Sequence, residues 1–246
     1  MGVSAPAETQ ARLLDLAACD LALQRVEVSL RTLPETLHIP TLEAAVDEIK
    51  GRKHEAMIEK ENIQAELSRA ESDVQLVESR ILTDEERLVH TASAKDAQGL
   101  GHELESLRKR RSDLEDIELA IMERMEEAEA TFQGLAQELA TAEAALVDAR
   151  SHFETKHAEL VADKDAQQAA REVLVASLPA DLYALYERQR ERYGVGASHL
   201  RGGVSSASGV ALTESDLQDI RRAHPDDVIL CPDSNAILVR TAESGL

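Results

Sequence analysis

Apolar residues recur at alternating spacings of three and four from Leu42 to Leu160, with a break near Ser93. In the first ladder the heptad a positions are Val46, Lys53, Lys60, Leu67, Val74, Ile81 and Leu88. Its d positions are Leu42, Ile49, Ala56, Ile63, Ala70, Val77 and Asp84. In the second ladder a falls on Leu104, Arg111, Glu118, Met125, Phe132, Leu139, Leu146, Phe153 and Leu160. There d falls on Leu100, Leu107, Leu114, Ile121, Ala128, Leu135, Ala142 and Ala149. A heptad period kept this long predicts two helices winding left-handedly around each other. The short break makes them antiparallel. Setting Leu88 opposite Leu100 places Ala56 opposite Phe132 and Leu42 opposite Leu146. A one-heptad slip would instead put Asp84 and Arg111 in one layer, at the expense of a longer tip. The polar seam residues Lys53, Lys60, Asp84, Arg111 and Glu118 are expected to turn their charges outward and fix the register.

The flanking pattern completes an all-α core. A first helix over residues 8–33 carries Leu14, Ala17, Leu21 and Val28 on one stripe. Pro34 and Pro40 then bracket a kink, with Thr41 as the cap of the next helix. Ser93 followed by Asp96 predicts the start of the third helix, and Leu178-Pro179 its end. The tail of that helix is expected to pack on the first helix, Leu14 near Leu174 and Val28 near Leu160. After Pro179 the period changes. A short helix carries Tyr183 and Tyr186, and turn signals follow at residues 194–196 and 201–203. Thr213 caps a helix with Leu217 and Ile220 facing inward. A small β-hairpin spans Val228 to Val239, and the tail Thr241–Leu246 reads as a loose end. The expected fold is mainly α. It is a long antiparallel coiled-coil hairpin closed by a shorter N-terminal helix (1–178), with a small α+β module (179–246).

Three Tyr, two Phe and no Trp leave little for a broad globular core, in keeping with long helices. The formal charge of −20 repels nucleic acid and anionic membrane at long range. Two cysteines, Cys19 and Cys231, suit a reducing cytosol, and no signal-peptide pattern or long apolar run appears. The expected location is cytoplasmic. Eight scattered histidines make no HExxH pattern, and no P-loop or GxSxG occurs, so no catalytic residues are assigned and no enzyme is expected.

Three stretches carry a family resemblance: Leu104-Glu105-Ser106-Leu107, Leu182-Tyr183-Ala184-Leu185-Tyr186-Glu187-Arg188 and Ile237-Leu238-Val239-Arg240. With the overall layout, they resemble a bacterial family of coiled-coil hairpins that ends in a four-cysteine zinc ribbon. Its members are described as nucleic-acid-binding or as chaperone-like adaptors in motility. The resemblance implies two Cys-x-x-Cys pairs. Here the first falls on Ser205 and Ser208, and the second on Cys231 and Ser234. Spacing survives while three of four thiols are serine. A serine hydroxyl does not replace a thiolate on zinc, so the zinc expected from the family is not expected here, and no other cofactor is. Substitution by His199, His224 or Asp233 would need a new ligand set and new supporting contacts. Cys231 then reads as a small buried residue. The module would rest on its own small core of Val228, Leu230, Ile237, Val239, Leu217 and Ile220.

The functional reading is a non-enzymatic adaptor or chaperone-like interaction module with a protein partner, and Leu37 and Ile39 at the kink are the candidate docking residues. The alternative is nucleic-acid binding through the ribbon-like module and the neighbouring Arg188, Arg190 and Arg192, beside Tyr186 and Tyr193. Acidic residues interleave with those arginines at helical spacing, which favours intrahelical ion pairs.

Overall fold

A computed structural model describes residues 3–245. Its helices are α1 (Ala7–Thr36), α2 (Ile39–His90), α3 (Ala94–Ala176), α4 (Ala180–Tyr193) and α5 (Glu214–Arg222). The strands are β1 (Ala197–Arg201), β2 (Val204–Ser205), β3 (Ile229–Leu230) and β4 (Ile237–Val239). The break between α1 and α2 is tighter than the prolines suggested. Pro34 lies inside α1, Pro40 lies in the first turn of α2, and the chain turns at Leu37-His38 with His38 at φ 55°. Thr41 is therefore inside α2 and caps nothing. Proline suits a first helical turn because its fixed φ is already helical and no N–H is needed there. Ser93 starts α3 as expected, its hydroxyl accepting from the Asp96 N–H at 3.4 Å. No helix among the described residues is long and apolar enough to cross a membrane.

The chain divides into two compact units, His38–Ser151 and the remainder. The first is the long helical hairpin. Its buried positions on α2 are Val46, Ile49, Ile63, Ala70, Val74, Ile81 and Asp84. On α3 they are Leu104, Leu114, Leu135, Leu139 and Leu146. Every one is a heptad a or d position, so the seam follows the sequence period. Val46 and Ile49 cluster with Leu139 and Leu146. The ammonium groups of Lys53 and Lys60 both sit over the Phe132 ring, at 5.5 and 5.3 Å. Phe132 thus lies level with Ala56, midway between the two lysines, and the unslipped register holds. Flanking e positions pair across the hairpin as Glu43–Arg150, Lys50–Glu143 and Glu85–Arg108. Flanking g positions pair as Arg52–Glu138, Glu66–Arg124 and Arg80–Glu103. Arg111 turns out of the seam to Glu115 and Lys60 to Glu129, as long side chains do. Asp84 differs. Its side chain is too short to reach water, so it stays fully buried and accepts from Arg80 and Arg87, each at 3.1 Å.

The second unit joins α1 and α3 from His152 onward to the C-terminal module. Its four-stranded sheet has the order β2-β1-β4-β3, with β1 parallel to β4 and the other pairs antiparallel. The β3–β4 hairpin matches the sequence reading; β1 was not anticipated. On β4 all three residues are buried, because successive side chains face opposite layers. Ile237 and Val239 pack with Leu13, Leu16, Leu182 and Tyr186 from α1 and α4. Leu238 packs with Leu200, Leu212, Ile220 and Cys231 on the other side. The module therefore does not rest on its own core alone, since one sheet face is closed by helices from elsewhere in the chain. Leu14 and Leu174 both pack on that helical cluster, while Val28 remains exposed. Nor are residues 241–245 of the tail loose, while Leu246 lies outside the described residues. Residues 242–244 form a 3-10 turn, and the buried Ser244 hydroxyl donates to the Leu200 carbonyl at 2.9 Å.

Candidate functional site

Two turns in the C-terminal module repeat one hydrogen-bond scheme. In the first, the Ser205 N–H donates to the Val210 carbonyl at 3.2 Å, and the Gly209 N–H to the Ser205 carbonyl at 2.8 Å. The Val210 N–H then donates to the Ser208 hydroxyl at 3.2 Å. In the second, the Cys231 N–H donates to the Ala236 carbonyl at 2.8 Å, and the Asn235 N–H to the Cys231 carbonyl at 2.9 Å. The Ala236 N–H donates to the Ser234 hydroxyl at 3.4 Å. Gly209 at φ 68° and Asn235 at φ 57° hold the same left-handed position. Glycine and asparagine are the residues that accept it at least cost. So Ser205 corresponds to Cys231, and Ser208 to Ser234, as the spacing in the sequence implied.

The two turns approach each other. The Ser205 hydroxyl, fully buried, lies 3.2 Å from that of Ser198. Burial works to raise the pKa of the Cys231 thiol. Hydrogen bonds from the Ser205 and Ser234 hydroxyls, and from the backbone at Ser234 and Asp233, outweigh it and hold the pKa below its ordinary value. Ser205, Cys231 and Ser234 are thus brought together. One thiol among hydroxyls does not fit zinc, which closes structural sites with four deprotonated soft or borderline donors. His199 is turned to the Thr241 hydroxyl and His224 lies by Asp226. Among the described residues no group of three or more His, Cys, Asp and Glu is placed to hold a metal ion.

Beside the first turn opens a groove of about 920 Å³, wholly within this unit. Leu14, Ala17 and Leu21 of α1 form one wall, and Val195, Ala197 and Ala207 contribute apolar surface from the module. Its floor is an ion network. Asp20 accepts from the Arg171 Nε at 2.6 Å and from the Tyr186 hydroxyl at 2.6 Å. Glu187 accepts from Arg171 at 2.5 Å and from the Arg190 Nη2 at 2.6 Å. Burial opposes the charge of Arg171, yet Asp20 and Glu187 raise its pKa above the usual arginine range. Burial and the bond to Asp20 push the Tyr186 phenol well up, so it stays a neutral donor. For Glu187 burial is again overcome, by Arg190 and Arg171, and its carboxyl lies below the usual range.

The three arginines singled out in the sequence do not converge. Arg190 is drawn into the network, whereas Arg188 and Arg192 are exposed, Arg192 stacking over Tyr193 at 5.4 Å. The Glu187–Arg190 contact is the intrahelical pair the spacing implied. Of the proposed docking residues, Ile39 is half-buried against the Val46 cluster and Leu37 is half-buried at the end of α1.

The family model described as the CT398-like coiled coil hairpin domain matches residues 16–194. The chain belongs to this family. An uncharacterised protein of Mycobacterium tuberculosis is 32% identical to this chain over 234 residues, covering 94% of this chain and 95% of that one. A solved Mycobacterium smegmatis structure is 29% identical with a TM-score of 0.85, covering 97% and 100% of the two chains. The structure of CT398 from Chlamydia trachomatis is 17% identical with a TM-score of 0.66 over 94% and 97%, a likeness of fold. Membership in the CT398-like family carries the coiled-coil hairpin.

Proposed function

We infer that this CT398-like chain is a non-enzymatic interaction module of the cytoplasm, an adaptor that holds a segment of a protein partner in the groove beside α1. The observation that carries this reading is the pairing of an apolar wall with a floor whose charges are already matched. Leu21 and Val195 are exposed at 46% and 38%, large apolar side chains open to a partner. Beneath them Asp20, Arg171, Glu187 and Arg190 satisfy one another, and His199, which also lines the groove, is bonded to the Thr241 hydroxyl, an arrangement that favours holding over catalysis. Such a site offers shape and apolar area, the ingredients of an interface centre. The two turns of the C-terminal module then serve as scaffold, holding the far wall by hydrogen bonds in place of a metal.

The test is affinity capture from native lysate with the wild-type chain and with Leu21→Glu, each with and without nuclease. Capture that survives nuclease and falls at least about tenfold in Leu21→Glu is expected, since burying a charge at an interface centre costs more than 1.4 kcal/mol. Capture abolished by nuclease would instead select nucleic-acid binding through the exposed Arg188 and Arg192.

A further inference from the structure

The cross-hairpin ion pairs on the e flank are interrupted. Glu43–Arg150 and Lys50–Glu143 lie on one side of the gap, and Glu85–Arg108 on the other. Carrying the same pairing inward by heptads sets Met57 opposite Ala136, Gln64 opposite Glu129, Glu71 opposite Met122 and Glu78 opposite Glu115. None of these four is an opposite-charge pair. Glu78 and Glu115 are alike in sign, an arrangement that destabilises a two-helix seam. On the g flank, by contrast, Glu66–Arg124 bridges the same stretch. Within this stretch Lys60 and Arg111 reach this side, each from a seam position, and they are taken by Glu129 and Glu115.

The gap also shows apolar surface, as do other parts of the hairpin such as Leu76, Val89 and Val147. Met57, Leu119 and Met122 are exposed at 40%, 57% and 45%. By heptad position Met57 and Met122 are e residues and Leu119 is the adjoining b residue, so all three belong to the one flank. Glu61, Glu71, Glu78 and Glu126 rim them on the same e and b positions, with no ion-pair partner among the described residues. From residue 57 to residue 78 the strip runs about 32 Å, at 1.5 Å per residue, the length of six helical turns.

We propose that this interrupted e flank is a docking strip for a basic amphipathic helix of a partner protein, which completes a local three-helix arrangement. The partner's apolar face meets the two methionines and Leu119. Methionine suits such a surface because its unbranched thioether adapts to different neighbours. Its lysines and arginines supply the cations that Glu71, Glu78 and Glu126 lack. The strip lies entirely within the hairpin unit and does not depend on the groove beside α1.

The probe is a fluorescein-labelled synthetic peptide of about 21 residues with leucine and lysine at helical spacing. Binding is read by anisotropy at about 150 mM salt, where a Debye length of about 8 Å screens the distant field of the chain. Saturable binding is expected for the wild-type chain and none for the same peptide with glutamate in place of lysine. Glu71→Lys/Glu126→Lys should weaken binding at least about tenfold, and Met122→Ser about threefold. The control Glu59→Lys/Asp73→Lys makes the same charge change on the g flank and should weaken it less than about twofold. Circular dichroism confirms that each variant keeps the wild-type helix content. Equal weakening by the two double variants, or no saturable binding below about 100 µM, overturns the proposal.

Discussion

Gly196 carries more of the second unit than its place in a turn suggests. A Cβ at this position would lie 2.5 Å from the Tyr186 ring, closer than any real contact. The ring cannot swing aside, because its hydroxyl is bonded to Asp20 and its body is fully buried. Gly196→Ala should therefore destabilise the chain by about 1–3 kcal/mol, the range for overpacking a rigid core. Gly134→Ala gives the opposite sign. It lies within α3 with nothing within 4 Å of the added carbon, so helix propensity alone predicts a gain of up to about 1 kcal/mol. Chemical denaturation of the two variants measures both, and a neutral Gly196→Ala would show that the ring can move. The sequence marked Gly196 only as a turn signal. Asp20 and Arg171, the centre of the groove floor, were not legible at all. They stand 151 residues apart, and no local period connects them.

At the scale of elements, legibility followed periodicity. The hairpin register could be read because the buried seam positions fall on heptad a and d positions over many turns. Strand β1 could not, since Ala-Ser-His-Leu-Arg holds no β-branched or aromatic residue and its partner β4 lies far along the chain. The two serine-bearing turns were legible as spacing. Their shared hydrogen-bond scheme became visible only in three dimensions. Because that scheme holds the backbone, the module should keep its shape without metal, and it is side-chain chemistry that decides zinc binding. Purified wild-type chain is expected to carry no stoichiometric zinc after dialysis against a mild chelator. Ser205→Cys/Ser208→Cys/Ser234→Cys should bind about one zinc per chain, since four thiolates on these turns supply the donors zinc prefers. Metal analysis and thermal melting with and without added zinc decide it. One zinc in the wild-type chain would mean that donors outside the four positions close the site.

For the whole molecule, net charge and the fate of three arginines set the balance between protein and nucleic-acid partners. The formal charge of −20 opposes any polyanion, and long-range repulsion slows encounter before contacts form. Local basic residues would have to overcome it. Arg190 is committed to Glu187, so its guanidinium reaches phosphate only by giving up one of the two arginine partners of a half-buried carboxylate. Arg188 and Arg192 remain, one turn apart on α4, which amounts to about two phosphate contacts. Two contacts release few counterions, and affinity should fall roughly forty-fold between about 20 and 150 mM salt, from the counterion-release slope. Gel shifts with mixed-sequence RNA and DNA are expected to show at most a weak smear at the low salt and no complex at the higher one. Arg188→Ala/Arg192→Ala should remove the smear. A discrete complex that persists at about 150 mM would require further cations, for which the exposed run Arg108-Lys109-Arg110 on α3 is a candidate. It would also shift the assignment from a protein partner to nucleic acid, because at that salt the Debye length is only about 8 Å and nothing but direct contact survives.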